Sequence, residues 1–103
     1  MKNSIKLSQC NLNVVVAVRR YPEDEIDYED VLFNEVLVGH ITGLHRDVTG
    51  INVKVKLAKS ERNKNRDEDL FYFEDLVRVI DLEKEYYAKK EKASDLDNYL
   101  YDQ

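Results

Sequence analysis

The chain of 103 residues has few of the residue types on which small secreted domains and metal sites depend. It contains one cysteine, one proline, three glycines and no tryptophan. A lone Cys10 cannot form an intramolecular disulfide, and the two histidines are far from it in sequence, so neither a disulfide framework nor a zinc site is predicted. The three glycines lack the spacing of a phosphate-binding loop, which argues against a nucleotide site of that type.

Long apolar runs are also missing. No run approaches the ~18 apolar residues that cross a membrane, and the first ten residues contain no apolar stretch typical of an export signal. We therefore expect a cytoplasmic protein without a membrane partner. An apolar fraction of 43%, with seven tyrosines and three phenylalanines, is that of a globular chain, and the length fits one domain.

Charge is present in quantity and is segregated. The net charge of −5 combines a dense acidic segment with a dense basic one. The acidic segment holds six carboxylates: Glu23, Asp24, Glu25, Asp27, Glu29 and Asp30. The basic segment, residues 54–66, holds six cations: Lys54, Lys56, Lys59, Arg62, Lys64 and Arg66. Because charges act over a screening length of ~8–10 Å, the local sign decides which partner each segment attracts.

Two regions have clear strand patterns. The β-branched run within residues 11–21 predicts a strand buried on both faces at its centre and ended by Pro22. Residues 51–57 alternate apolar and polar side chains and follow turn-forming residues 47–50, which predicts a hairpin pairing 36–45 with 51–58. A β-bulge is expected near Gly39 or Gly43, within an apolar stretch from Val31 to Leu44 that changes parity.

The remaining segments receive coarser predictions. Residues 22–30 are expected to form a loop or a short edge hairpin, and residues 59–69 a long, mobile polar loop. Residues 70–80 return to strand composition, with a tight helical turn at Glu74 and Asp75. A three- and four-residue apolar period from Leu82 to Leu100 predicts a helix, with Asp81 as its N-cap and a break near Ser94.

The order of these elements resembles that of small SH3-like β-barrels. The resemblance is carried by residues 38–58 and 71–79, where the following residues occupy the characteristic positions: Gly39, Val53, Val55, Phe73, Asp75, Leu76 and Val79. It implies a mainly β fold, an antiparallel barrel of about five strands over residues 1–80. A C-terminal helical segment, residues 81–103, would pack on the barrel or on a partner. Such barrels usually bind peptides, proteins or nucleic acids and seldom catalyse.

Catalytic chemistry is not predicted. His40 and His45 are five residues apart in a hairpin and should point to opposite faces, which makes them poor metal partners. Cys10 is interpreted as a small apolar core residue rather than a nucleophile. We therefore expect a protein that is not an enzyme and that uses no cofactor and no metal.

The first functional hypothesis is a regulatory module that engages a protein through the carboxylates of residues 23–30. In length, composition and acidity the chain resembles small phage- or plasmid-encoded accessory proteins, some of which inhibit a target by mimicking nucleic acid.

The alternative is RNA or DNA binding through the basic segment, with Tyr72 stacking on a base. A sequence pI near 5.0 weighs against it. A third partner, a second copy of the chain, would bind through residues 82–101.

Overall fold

The computed structural model describes residues 4–21, 23–61 and 63–101, with side chains up to residue 91. Its strands are β1 (Val15–Val18), β2 (Val38–Asp47), β3 (Gly50–Leu57), β4 (Glu68–Phe71) and β5 (Leu76–Arg78). Its helices are α1 (Tyr28–Leu32) and α2 (Val79–Tyr101), and short 3-10 turns span Leu7–Gln9 and Phe73–Asp75. The strands form one antiparallel sheet in the order β4-β3-β2-β1-β5, so the fold is mainly β with a C-terminal helix.

Strand β1 lies inside the sheet, between β2 and β5. Val16 pairs with Gly39 on one side and with Arg78 on the other. Val16 and Ala17 point to opposite faces and are both fully buried, which confirms the predicted double burial. The strand is shorter than residues 11–21, since Asn13 has a positive φ of 69° before it, and beyond Val18 the backbone N–H of Arg19 adds one further hydrogen bond, to the Asp75 carbonyl.

Two apolar clusters lie on opposite faces of the sheet. The larger is built on β1, β2, β3 and β5 and contains Ile5, Cys10, Val16, Val18, Ile41, Val53, Val55, Leu57 and Leu76. The smaller is closed by the helical segments and contains Ala17, Ile26, Val36, Val77 and Leu82. Buried apolar area of this kind contributes ~25 cal/mol per Å², so both clusters stabilise the sheet.

The predicted β2–β3 hairpin is confirmed. Its register runs from Gly39 opposite Leu57 to Asp47 opposite Gly50. The bulge falls between Ile41 and Gly43, so the position near Gly43 is correct. At the turn, the Asp47 carboxylate accepts hydrogen bonds from the backbone N–H and the hydroxyl of Thr49, and Gly50 takes a positive φ of 128°.

The prediction for residues 22–35 is partly wrong. After a loop that buries Ile26, the chain forms α1 instead of an edge hairpin or the start of a strand. Asp27 begins this helix: its carboxylate accepts from the Asp30 backbone N–H, and the Asp30 carboxylate accepts from the Asp27 N–H. Asn34, with a φ of 56°, follows α1 and turns the chain toward β2.

Two further boundaries differ from the predictions. Within residues 59–69, the Ser60–Asn63 bridge and a buried Asn63 order the loop, and its last residues already belong to β4. The turn at Glu74 and Asp75 is confirmed, but β5 is short because α2 begins at Val79. Asp81 therefore lies in the first turn of α2 and pairs with Arg78, 2.8 Å away, instead of capping the helix. The helix continues without a break at Ser94.

Gly39 has no room for a side chain. A Cβ there would lie 2.4 Å from the Lys56 carbonyl oxygen and 2.7 Å from Val55 Cγ1, whereas a Cβ at Gly43 would meet nothing closer than 3.9 Å. Because the Lys56 oxygen belongs to the paired backbone, it cannot move aside without distorting the ladder.

We therefore expect Gly39→Ala to lower the free energy of unfolding by about 1–3 kcal/mol, the usual cost of overpacking. Gly43→Ala is the matched control and should change it by less than about 1 kcal/mol. Urea denaturation followed by circular dichroism measures both, and equal effects at the two positions would contradict the assigned register.

Candidate functional site

The six predicted carboxylates of the acidic segment divide into two groups. Asp24 pairs with Arg20, and Asp27 and Asp30 form the reciprocal cap of α1. The other three side chains, Glu23, Glu25 and Glu29, lie on exposed residues. Three of the six carboxylates therefore stabilise the conformation of the acidic segment itself, and the other three face solvent.

A buried arginine, Arg19, anchors the start of this segment. Its guanidinium donates to the Asp24 carbonyl oxygen and, at 3.2 Å, to the Ser4 hydroxyl. Ser4 in turn donates to the Glu74 carbonyl at 2.9 Å. The chain before α1 is thereby tied to the N-terminal segment and to the turn before β5. The sequence pattern did not indicate this role, since an Arg-Arg pair at a strand end is typical of solvated residues.

Large apolar side chains flank the exposed carboxylates. Tyr21 is 72% exposed, and at the end of α1 Leu32 is 52% and Phe33 71% exposed. We call the six residues Tyr21, Glu23, Glu25, Glu29, Leu32 and Phe33 the acidic surface. Tyr21 also lines an open groove of about 390 Å³, whose other lining residues are Val18, Arg19, Arg20, Glu35, Val36 and Leu37. Exposed aromatic residues beside charged ones are typical of protein-binding surfaces.

Sequence reasoning missed Leu32 and Phe33, because it assigned them to a strand. The signal that identifies them is the pair of aspartates, Asp27 and Asp30, at the spacing of a helix N-cap and its third residue. With α1 placed, the two apolar residues fall at its exposed C-terminal end.

The second candidate surface lies on β3 and its neighbours. Lys54 and Lys56 point away from the core, in alternation with buried Val53, Val55 and Leu57, as predicted. Lys56 lies between His40 and Glu68 in the sheet, and Lys54 pairs with Leu70. Tyr72, just after β4, is 55% exposed. We call Lys54, Lys56 and Tyr72 the basic face.

The other predicted cations do not continue the basic face as a row of solvent-facing charges, because two of them make contacts within their own loop. Lys59 donates to the Arg66 carbonyl at 2.9 Å, and Arg66 pairs with Asp69 and lies 5.8 Å from the Phe71 ring centroid. Lys64 is exposed, and Arg62 lies outside the described residues.

The loop that carries these cations is folded around Asn63. The Asn63 amide donates to the carbonyls of Ala58 and Arg66, both at 2.9 Å, and its oxygen accepts from the Arg66 backbone N–H. A carboxylate also enters the basic face, since Glu68 accepts from the Thr42 hydroxyl at 3.0 Å.

Cys10 packs in the larger cluster, with its thiol 3.5 Å from the Lys6 carbonyl. Burial raises the pKa of Cys10, which keeps it as the thiol and makes it a poor nucleophile.

His40 is half-buried and His45 exposed. In the described part of the chain, no three His, Cys, Asp or Glu side chains cluster as metal ligands, and no helix is long and apolar enough to cross a membrane.

The beginning of α2 packs on its own sheet. Leu82 is buried in the smaller cluster, and the Tyr86 ring lies 5.5 Å from that of Tyr28. Ile80 and Tyr87 are exposed on the same helix. The side chains from residue 92 onward, including Leu96 and Leu100, lie outside the described ones, so a second copy binding through 82–101 stays a prediction.

Comparison with known proteins identified no relative of this chain. A scan against protein-family models found no match, and searches of curated proteins and of solved structures found no significant similarity.

The Arg20–Asp24 ion pair changes the pKa of Asp24. Arg20 Nε donates to Asp24 at 2.7 Å, and this hydrogen bond lowers the pKa of Asp24 below its ordinary value of 3.8. A lowered folded-state pKa stabilises the fold above pH 3.8, and that contribution is lost as pH falls through the folded-state pKa.

We expect an NMR titration to find Asp24 ionising below 3.8 and to find its pKa raised toward that value in Arg20→Gln. The pKa of Asp47, which is lowered mainly by Thr49, is the internal control and should not change. An Asp24 pKa that is the same in both proteins would contradict the ion pair.

Proposed function

We propose that the protein is a non-catalytic binding module that engages a protein partner through the acidic surface. The observation that carries the proposal is the exposure of Tyr21, Leu32 and Phe33 beside three solvent-facing glutamates. Aromatic anchors supply much of the binding energy of protein interfaces, and surrounding charges increase the rate and selectivity of association. A basic partner surface with an apolar depression has the complementary chemistry.

The anchoring of this surface supports the proposal. Arg19 holds the chain at Asp24, between Glu23 and Glu25, and the Asp27–Asp30 cap holds it on either side of Glu29. A surface that is ordered before binding loses less conformational entropy when the partner docks. An inhibitor that occupies a basic cleft meant for nucleic acid, as in accessory proteins of mobile elements, is the form of this function we favour. We assign such a protein to the cytoplasm.

We also propose that the sheet forms an SH3-like barrel. Its support is the pairing of β5 with β1, which brings the last strand back to the first, and the 3-10 turn that precedes β5. The larger cluster draws on β1, β2, β3 and β5, as the interior of a small barrel does.

Nucleic-acid binding through the basic face is the second candidate. The observation that favours it is the outward alignment of Lys54 and Lys56 near an exposed Tyr72. It ranks second because Lys59 and Arg66 are engaged within their loop and Glu68 lies next to Lys56.

Site-specific photo-crosslinking distinguishes the two candidates. Incorporation of p-benzoylphenylalanine in place of Phe33 probes the acidic surface, and its incorporation in place of Tyr72 probes the basic face. Both positions are aromatic and exposed, so each replacement should leave the fold intact. After irradiation of living cells that express the protein, we expect protease-sensitive adducts from position 33 and none from position 72.

The position-33 adducts should fall by about tenfold or more when Glu23→Gln, Glu25→Gln and Glu29→Gln are combined, because interfacial charges are lost. The matched control, Lys54→Gln with Lys56→Gln, should leave them unchanged. Nuclease-sensitive adducts from position 72, or position-33 adducts indifferent to the glutamates, would overturn the proposal.

A further inference from the structure

A groove of about 270 Å³ lies between α1 and α2, next to the acidic surface. Its apolar walls are Leu82 and the rings of Tyr28 and Tyr86. Three carboxylates, those of Asp27, Glu29 and Glu85, line it as well. Glu29 belongs to both the groove and the acidic surface, so a ligand on one is within reach of the other.

The tyrosines of this region form a connected cluster. The ring centroids of Tyr28 and Tyr86 are 5.5 Å apart with planes inclined at 55°, and Tyr87 meets Tyr86 edge-on at 5.4 Å. Burial and the nearby charge of Glu83 raise the pKa of Tyr28, so it remains a neutral phenol. Neutral aromatic faces attract cations through the ring quadrupole.

A cation already occupies one of these faces. The ammonium nitrogen of Lys90 lies 4.9 Å from the Tyr86 ring centroid, within the ~6 Å range of a cation–π contact. A hydrogen bond with Tyr86, together with the charges around it that include Glu29, raises the pKa of Lys90. The groove therefore already holds one alkylammonium group, that of Lys90. Lys90 itself is exposed and has a flexible stem, so it can leave.

We propose that this groove receives one lysine side chain of the protein partner, and that Lys90 is its intramolecular competitor. The inference rests on the proposed function and specifies what the partner presents: a lysine beside the region that contacts the acidic surface. Charge complementarity supports it. Apart from Lys90, the residues that line the groove are three acidic residues, two tyrosines, Leu82 and one further lysine, Lys89.

The competition can be measured with a small probe. Binding of Nα-acetyl-lysine methylamide is followed by NMR at the ring protons of Tyr28 and Tyr86, with the N-acetyl-norleucine methylamide, which has the alkyl chain without the ammonium group, as the uncharged control. We expect Lys90→Gln to bind the lysine probe about twofold to fivefold more tightly than the wild type, the usual range of an exposed cation–π contact. Lys84→Gln, on α2 outside this groove, should bind as the wild type does.

Two substitutions at Tyr86 test whether its aromatic ring is required for binding. Tyr86→Phe retains a π face and should bind the probe, whereas Tyr86→Leu retains apolar volume and should not. Thermal unfolding of each variant verifies that the fold is intact. Equal affinity of Lys90→Gln and the wild type, equal shifts with the norleucine derivative, or binding by Tyr86→Leu would overturn the inference.

The two proposals fail separately. If position-33 adducts persist and depend on the glutamates while the lysine probe does not bind, the groove inference is wrong and the acidic surface still binds a protein. If the probe binds as expected and no protein adduct forms at position 33, the groove recognises lysine but the acidic surface is not the partner site.

Discussion

Every layer of this protein depends on the burial of β1 on both faces and its pairing on both edges. Val16 and Val18 complete the larger cluster, and Ala17 faces the helical segments on the opposite side. The backbone of β1 pairs with β2 through residues 15–17 and with β5 through residues 16–18. Because β5 is held there, the turn before it lies beside Arg19, and Arg19 in turn fixes the beginning of the acidic segment. The binding surface we propose is thus a consequence of where β1 sits.

The outer face of the sheet is divided by this arrangement. One row of paired residues, Ala17 and Val38, lies under the helices, while the next row, Val15, His40 and Lys56, is left uncovered. The acidic surface and the tyrosine groove belong to the helical half, and the basic face belongs to the uncovered half. The net charge of −5 is a sum over the whole chain, so it does not give the charge of either half.

The features predicted correctly from sequence were those with a strict local period. Val53, Val55 and Leu57 alternate with lysines, so the hairpin, its turn and the outward lysines could all be predicted. Helix α1 was missed, because Val31, Leu32 and Phe33 have strand-like composition and five residues are too few to display a helical period; its one local signal is the capping spacing of Asp27 and Asp30. Arg19 and Asn63 were missed for another reason. Their burial depends on hydrogen bonds to backbone carbonyls three to five residues away, within loops whose conformation no hydrophobic period encodes.

The acidic surface, and not the basic face, is the surface that we expect to recognise the partner. A salt titration of binding between the pure protein and short single- and double-stranded RNA and DNA tests this choice. We expect no binding even at low salt, since β3 presents only Lys54 and Lys56 and Glu68 lies next to Lys56. Binding that weakens steeply as salt rises would show the opposite, because it would mean that the basic face neutralises phosphates.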